Sequence, residues 1–265
     1  MNEIKTYSYR GSDESLESDE LYQAKIYRFG SLSEVPWVDF SKNYNIVVRI
    51  IISDPTSDLP VDILYIPRES KRLLVGFHGA EDRSKANLPK FQFVKSFQTQ
   101  RSESLVFVSD STLLQSDKMV IGWMFGTQRS HFVSKVAEVI NALIQGAAIE
   151  RTMLVGHSAG GFCAVAVGAR IENSRSISVN GQTVILRHRP WTINRLWNTI
   201  FNGEPNLKVL EAEYLDRLDL RVILDNRVKN SSFSFFAHAD DPLVMSDHPH
   251  FPVLADHYGL GAKGG

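Results

Sequence analysis

The chain reads as an α/β fold, a mostly parallel and doubly wound sheet, on three observations. Apolar runs bounded by turn residues alternate with segments of helical spacing. The pattern Gly156-His157-Ser158-Ala159-Gly160 stands between one such run and a small-residue helical stretch. The length, 265 residues with 43% hydrophobic, suffices for one large buried core.

The elements follow in order. Asn45 to Ile52 (NIVVRIII) and Val61 to Ile66 (VDILYI) read as an antiparallel pair joined by a turn-rich Asp-Pro-Thr-Ser-Asp segment. Arg72 to Phe77 (RLLVGF) and Ser104 to Ser109 (SLVFVS) are continuous apolar runs of central strands. Phe132, Val133, Val136, Val139, Ile140, Leu143 and Ile144 recur at helical spacing, with Gly146 as the stop. Arg151 to Val155 is the strand before the serine, and Phe162 to Val167 continue the helix after it. Ser176 to Asn180 and Ser232 to Phe236 are the last strands, and Phe251 to Tyr258 is helical. The stretch 181–231, with its aromatic Pro190-Trp191 and a helical pattern around Leu207 to Leu218, is longer than a plain crossover needs and predicts a small cap. The domain reading is an N-terminal segment over 1–40, partly disordered and acidic from Asp13 to Glu20, followed by one domain over 41–265.

Composition excludes several classes. Lys plus Arg is 29 and Asp plus Glu is 30, so nothing suggests a nucleic-acid partner. The lone Cys163 rules out an internal disulfide and fits a reducing compartment. No apolar run has signal-peptide or membrane-span character, so a cytoplasmic protein is expected.

Ser158 is the candidate nucleophile. A serine on so tight a strand-to-helix turn takes a strained backbone conformation, and Gly156 and Gly160 are needed because side chains there would strike backbone. The hydroxyl then stands clear of the sheet at a helix start, where developing negative charge is favoured.

Here the chain resembles the α/β-hydrolase superfamily over roughly Val61 to the C-terminus. The strand at Leu73 to Phe77 ends in His78-Gly79-Ala80, similar to that family's loop after its third strand. The resemblance implies an oxyanion hole from the amides of Ala80 and Ala159. His157, inside the turn that carries Ser158, is expected to support packing around the nucleophile rather than act as base, because its side chain points away from the serine. Ala237-His238-Ala239-Asp240-Asp241-Pro242 looks like the family's turn after strand seven, with Asp241 as the acid and Asp240 as its alternative. The base is where the pattern breaks. Downstream of Asp241 stand His248, His250 and His257, but no apolar run that would be strand eight. Either the C-terminus is incomplete, which is the preferred expectation, or the sheet ends early and a histidine of the 247–257 segment substitutes. His250 is the leading candidate beside His248, and His257 reads as surface.

A finer likeness links Ser109 to Leu114, Gly122-Trp123 and Asn180-Gly181-Gln182-Thr183 to a bacterial branch found near surface-polysaccharide genes. The expected function is a serine hydrolase cleaving a carboxylic ester, with O-acylated glycans as a substrate class and no cofactor. The alternatives are an acyltransferase using the same serine and an inactive accessory or carbohydrate-binding protein. A metal site among His238, Asp240, Asp241, Asp247, His248 and His250 matches no standard ligand spacing, and none is expected.

Overall fold

A computed structural model describes residues 17–44, 46–204, 207–241 and 250–259. Its nine strands are β1 (Ser18–Asp19), β2 (Ala24–Phe29), β3 (Val48–Ile52), β4 (Val61–Ile66), β5 (Arg72–Phe77), β6 (Ser104–Val108), β7 (Arg151–His157), β8 (Ser174–Val179) and β9 (Ser232–Phe236). They form one sheet in the order β1-β2-β3-β4-β6-β5-β7-β8-β9. β4 runs against both β3 and β6, and β1 runs against β2, while every other pairing is parallel. The antiparallel pair expected at 45–66 is thus present, with Val48 opposite Tyr65.

The unbroken apolar runs are explained by cover on both faces. All residues of β4 and β6 are buried, as are Leu73 to Phe77 of β5. On one face lie α1 (Trp37–Lys42), α3 (Phe132–Gly146) and α4 (Ala159–Gly168). α3 turns Phe132, Val136, Ile140 and Leu143 into the main core. α4 is buried along its whole length, which requires its small residues. Ser176 and Ser174 of β8 donate to the Ala164 and Gly168 carbonyls, joining helix to sheet. Gly146 ends α3, but its use differs from a left-handed cap: a Cβ there would lie 2.4 Å from the Trp37 Cβ, so the glycine admits α1. On the other face, α2 (Val94–Gln100) covers a smaller cluster of Leu64, Ile66, Leu74, Leu105 and Phe107.

Two expectations about domain limits change. Residues 17–40 belong to the domain, because β2 pairs with β3 and buries Ala24, Ile26 and Phe29, and α1 buries Trp37 and Phe40. Part of the acidic patch is ion-paired rather than free: Arg28 donates to Glu17, and Arg49 bridges Asp19 and the buried Asp62. Residues 1–16 lie outside the described part.

The stretch 181–231 also divides. It holds α5 (Pro190–Phe201), α6 (Leu207–Glu213), α7 (Leu215–Leu218) and α8 (Leu220–Asp225). α8 packs Ile223 and Leu224 into the main core and is an ordinary crossover helix. α5 also turns Leu196, Ile200 and Phe201 into that core, with Phe201 edge-on to Phe125. The buried Arg217 fastens this region to the sheet domain by donating to the carbonyls of Thr127 and Ser130. The last described element, α9 (Phe251–Tyr258), matches its expected span and buries Leu254. His257 and Tyr258 both bond Asp225 of α8, so His257 is a surface tether. Among the described residues, no strand follows β9, and no helix is long and apolar enough to cross a membrane.

Candidate active site

The carboxyl ends of β5, β7, β8 and β9 share one edge of the sheet, where loops from a parallel sheet meet. Ser158 sits there between β7 and α4 at φ 56° and ψ −123°. For a residue with a Cβ this is a strained conformation. It is held because the Ser158 amide donates to the Val179 carbonyl at the end of β8, and its own carbonyl receives the Gly161 amide. The two flanking glycines are sterically required. A Cβ on Gly156 would lie 2.0 Å from the Gly160 carbonyl oxygen, and one on Gly160 would lie 2.5 Å from that of Phe77. Ala159 opens the helix, so its amide has no partner within it.

The loop after β5 lies against this turn. A Cβ on Gly79 would be 3.7 Å from the Ser158 Cβ and 3.2 Å from the His157 carbonyl. His78 is buried and shapes the loop: its Nδ1–H donates to the Gly79 carbonyl, and its Nε2 accepts the Asp110 amide. The Gly79 amide donates to Gln92 Oε1, and Ala80 is exposed at the mouth. His157 is exposed, so the packing role expected of it is not seen.

Asp240 and Asp241 follow β9 on a turn tied to β8. The His238 amide donates to Asn180 Oδ1, and the Asp241 amide donates to the His238 carbonyl. Asp241 is half-buried and Asp240 exposed. Asp247 and His248 lie outside the described residues.

His250 requires a correction. It is fully buried, and its Nδ1 accepts the Thr183 amide at 3.1 Å. The Thr183 hydroxyl donates to the His250 carbonyl at 2.9 Å. A neutral ring in this setting carries its proton on Nε2. A triad base needs the opposite tautomer, with Nδ1–H on the carboxylate and the Nε2 lone pair on the serine. The backbone amide of Thr183 therefore removes His250 from the role of base that its position after Asp241 suggested.

Ser158 Oγ instead accepts from Gln182 Nε2 at 3.2 Å. Gln182 Oε1 in turn accepts the Trp123 indole N–H at 3.1 Å. Trp123 is buried and edge-on to His188. The buried Asp110 accepts the amides of Thr112 and Met124 and so clamps the loop carrying Trp123. In the sequence these three segments carry only the likeness to the bacterial branch and imply no part at the serine. The polar Gln182, two residues past an expected strand end, is the available signal. Burial holds the Cys163 thiol well above its usual pKa, with the Asp110 charge adding to it, so this thiol is inert. Among the described residues, no three His, Cys, Asp or Glu side chains are grouped to hold a metal ion.

No family model matches the sequence, and no curated protein does. Solved structures do match. The capsule O-acetyltransferase of Neisseria meningitidis serogroup A aligns with TM-score 0.57 at 14% identity, over 76% of this chain and 81% of that one. A histidine-to-alanine variant of it in complex with CoA aligns with TM-score 0.58, also at 14% identity, over 76% and 82%. A fluorophosphonate-binding serine hydrolase of Staphylococcus aureus, FphF, gives TM-score 0.53 at 12% identity over 83% and 89%. A chain of the Glycosylation Associate Protein complex from Streptococcus agalactiae gives 0.52 at 16%, over 77% of this chain and 38% of that one. At such identities the likeness speaks for backbone architecture alone, and on that ground the chain has the α/β-hydrolase fold.

Proposed function

We propose that the chain is a serine enzyme that cleaves a carboxylic ester through an acyl-enzyme on Ser158. The observation that carries the reading is the strained backbone of Ser158 at the β7–α4 turn, with the Gly79 loop against its Cβ. Strain of this kind costs on the order of 1–3 kcal/mol and is kept where geometry serves a site. Ser158 Oγ attacks the ester carbonyl and gives its proton to a base, and the amides of Ala80 and Ala159 receive the oxyanion. The leaving alcohol takes that proton, and water then releases the acid. Asp241 is the acid that orients the base. With His250 held in the wrong tautomer, His78 spent on its own loop and His257 tethered to Asp225, His248 is the base of this proposal.

The substrate class is an O-acylated glycan. A second reading, transfer of the acyl group to a sugar hydroxyl, is favoured by the architecture shared with the capsule O-acetyltransferase. Both use the same acyl-enzyme.

A fluorophosphonate probe tests the serine. Labelling of the full chain that is lost in Ser158→Ala is expected, whereas an unlabelled, folded chain favours the accessory-protein alternative. His248→Ala is expected to slow labelling at least about a hundredfold, and His250→Gln much less. The reverse order would return the base to His250. Release of acetate from an acetylated glycan, with and without an unacetylated acceptor glycan, separates hydrolysis from transfer.

A further inference from the structure

We infer that Gln182 is a catalytic residue of this site, donating its side-chain amide to the reacting oxygen, with Trp123 as the residue that fixes its orientation. The inference rests on the reading of Ser158 as nucleophile. A glutamine amide presents an oxygen at one end and two donors at the other, and its shape alone does not say which end faces which neighbour. Here the neighbour decides. An indole nitrogen can only donate, so the end of Gln182 that meets Trp123 at 3.1 Å is the oxygen. The NH2 group is then the end 3.2 Å from Ser158 Oγ. Ser158 accepts this bond and keeps its own proton free to pass to a base.

The arrangement is held from behind. Gln182 is buried, three residues after the end of β8, and its neighbour Thr183 is bonded to His250. Trp123 and Met124 both take positive φ, 49° and 55°, which non-glycine residues adopt only under constraint. The constraint is Asp110 Oδ2, which accepts the Met124 amide at 2.9 Å. A Cβ on Gly122 would lie 2.6 Å from that same oxygen, so the loop closes on the carboxylate only with glycine there. The Ser109–Leu114, Gly122-Trp123 and Asn180–Thr183 segments thus form one relay, in which Asp110 holds the Trp123 loop, Trp123 holds Gln182, and Gln182 reaches Ser158 Oγ.

The chemistry needs no added reagent. As the bond from Oγ to the electrophile forms, the serine proton moves to the base and the leaving group departs with its electron pair. Oγ carries partial negative charge along this path, and the Gln182 N–H stabilises it while fixing the Ser158 rotamer. When the acyl-enzyme breaks, the electron pair of the C–Oγ bond returns to Oγ, and the same donor faces the leaving oxygen.

The test is the second-order rate of fluorophosphonate labelling, measured on the full chain. Gln182→Met keeps length and removes the donor, and a loss of at least about tenfold is expected. Trp123→Phe leaves the amide in place but frees its orientation, with a smaller, severalfold loss expected. The double variant should be no slower than Gln182→Met alone, because Trp123 acts through Gln182. Two unrelated structural effects would multiply instead, and that result overturns the relay. Gln182→Met labelled within twofold of wild type overturns the role of Gln182 and leaves the nucleophile reading standing. An unlabelled wild type sinks both. If Gln182→Met does not fold, Gln182→Glu decides: a carboxylate beside the developing negative oxygen should slow labelling at pH 8 at least about tenfold, and unchanged or faster labelling refutes the proposal.

Discussion

At the elbow, the structure makes a sharp steric statement about Gly156→Ala. The added methyl would sit 2.0 Å from the Gly160 oxygen, 2.1 Å from the Gly160 carbonyl carbon and 2.7 Å from the Gly161 nitrogen. Ordinary carbon contacts lie at about 3.5 Å, so β7 and α4 must part by more than an ångström. All three obstacles are backbone, and no side chain can swing aside. Overpacking of this kind costs about 1–3 kcal/mol where side chains can yield, so about 3 kcal/mol or more is expected here. That is a large part of the 5–15 kcal/mol typical of a domain. The displacement also moves Ser158 relative to the Ala159 amide and the Gly79 loop. An ångström of misplacement is worth about a hundredfold in rate. Urea denaturation followed by tryptophan fluorescence reads the first effect, and labelling per folded molecule reads the second. Gly30→Ala is the control, since a Cβ there meets only the Glu34 carboxylate at ordinary contact, 3.5 Å. If Gly156→Ala matches that control in both assays, the steric reasoning about the elbow is wrong.

Ser158→Gly relieves a φ of 56° and should raise stability by about 1 kcal/mol while abolishing labelling; a loss of stability would deny the strain. His131 caps α3, and burial with the nearby Arg170 charge lowers its pKa from 6.5 to about 4. Its folded pKa lies below its unfolded one, so the stability tied to its neutral form is complete above about pH 6.5 and is lost as pH falls towards 4. The loss is on the order of 2–3 kcal/mol. His131→Asn, which keeps a capping acceptor for the Ser134 amide, should flatten that part of the stability–pH curve, and an unchanged slope would exclude His131 as its source.

How much of this was legible beforehand depends on how local each signal is. The antiparallel β3–β4 pair, the buried runs of β5 and β6 and the periodic face of α3 each follow from patterns within a single segment. β2 is not legible in the sequence, because Ala24, Ile26 and Phe29 follow an acidic stretch and are interleaved with Lys25 and Arg28, which gives a short and mixed apolar signal. The charges make sense only in three dimensions, where Arg49 comes from β3 to meet Asp19 and Asp62.

The same division runs through the site. Sequence alone determined the elbow, since Gly156, Ser158 and Gly160 are adjacent in the chain and only glycine tolerates carbonyls at such distances. It also determined the loop partner His78-Gly79, because a turn at a strand end announces itself locally. Tertiary structure alone decided which groups reach the serine oxygen. Gln182 stands 24 residues beyond Ser158 and Trp123 stands 59 residues before Gln182, and no spacing rule links them until the sheet sets their loops on one edge. His250 shows the converse. Its position in the chain suited a base, but a proton acceptor is defined by where its lone pairs point, and a backbone amide 67 residues away had already taken the one that mattered.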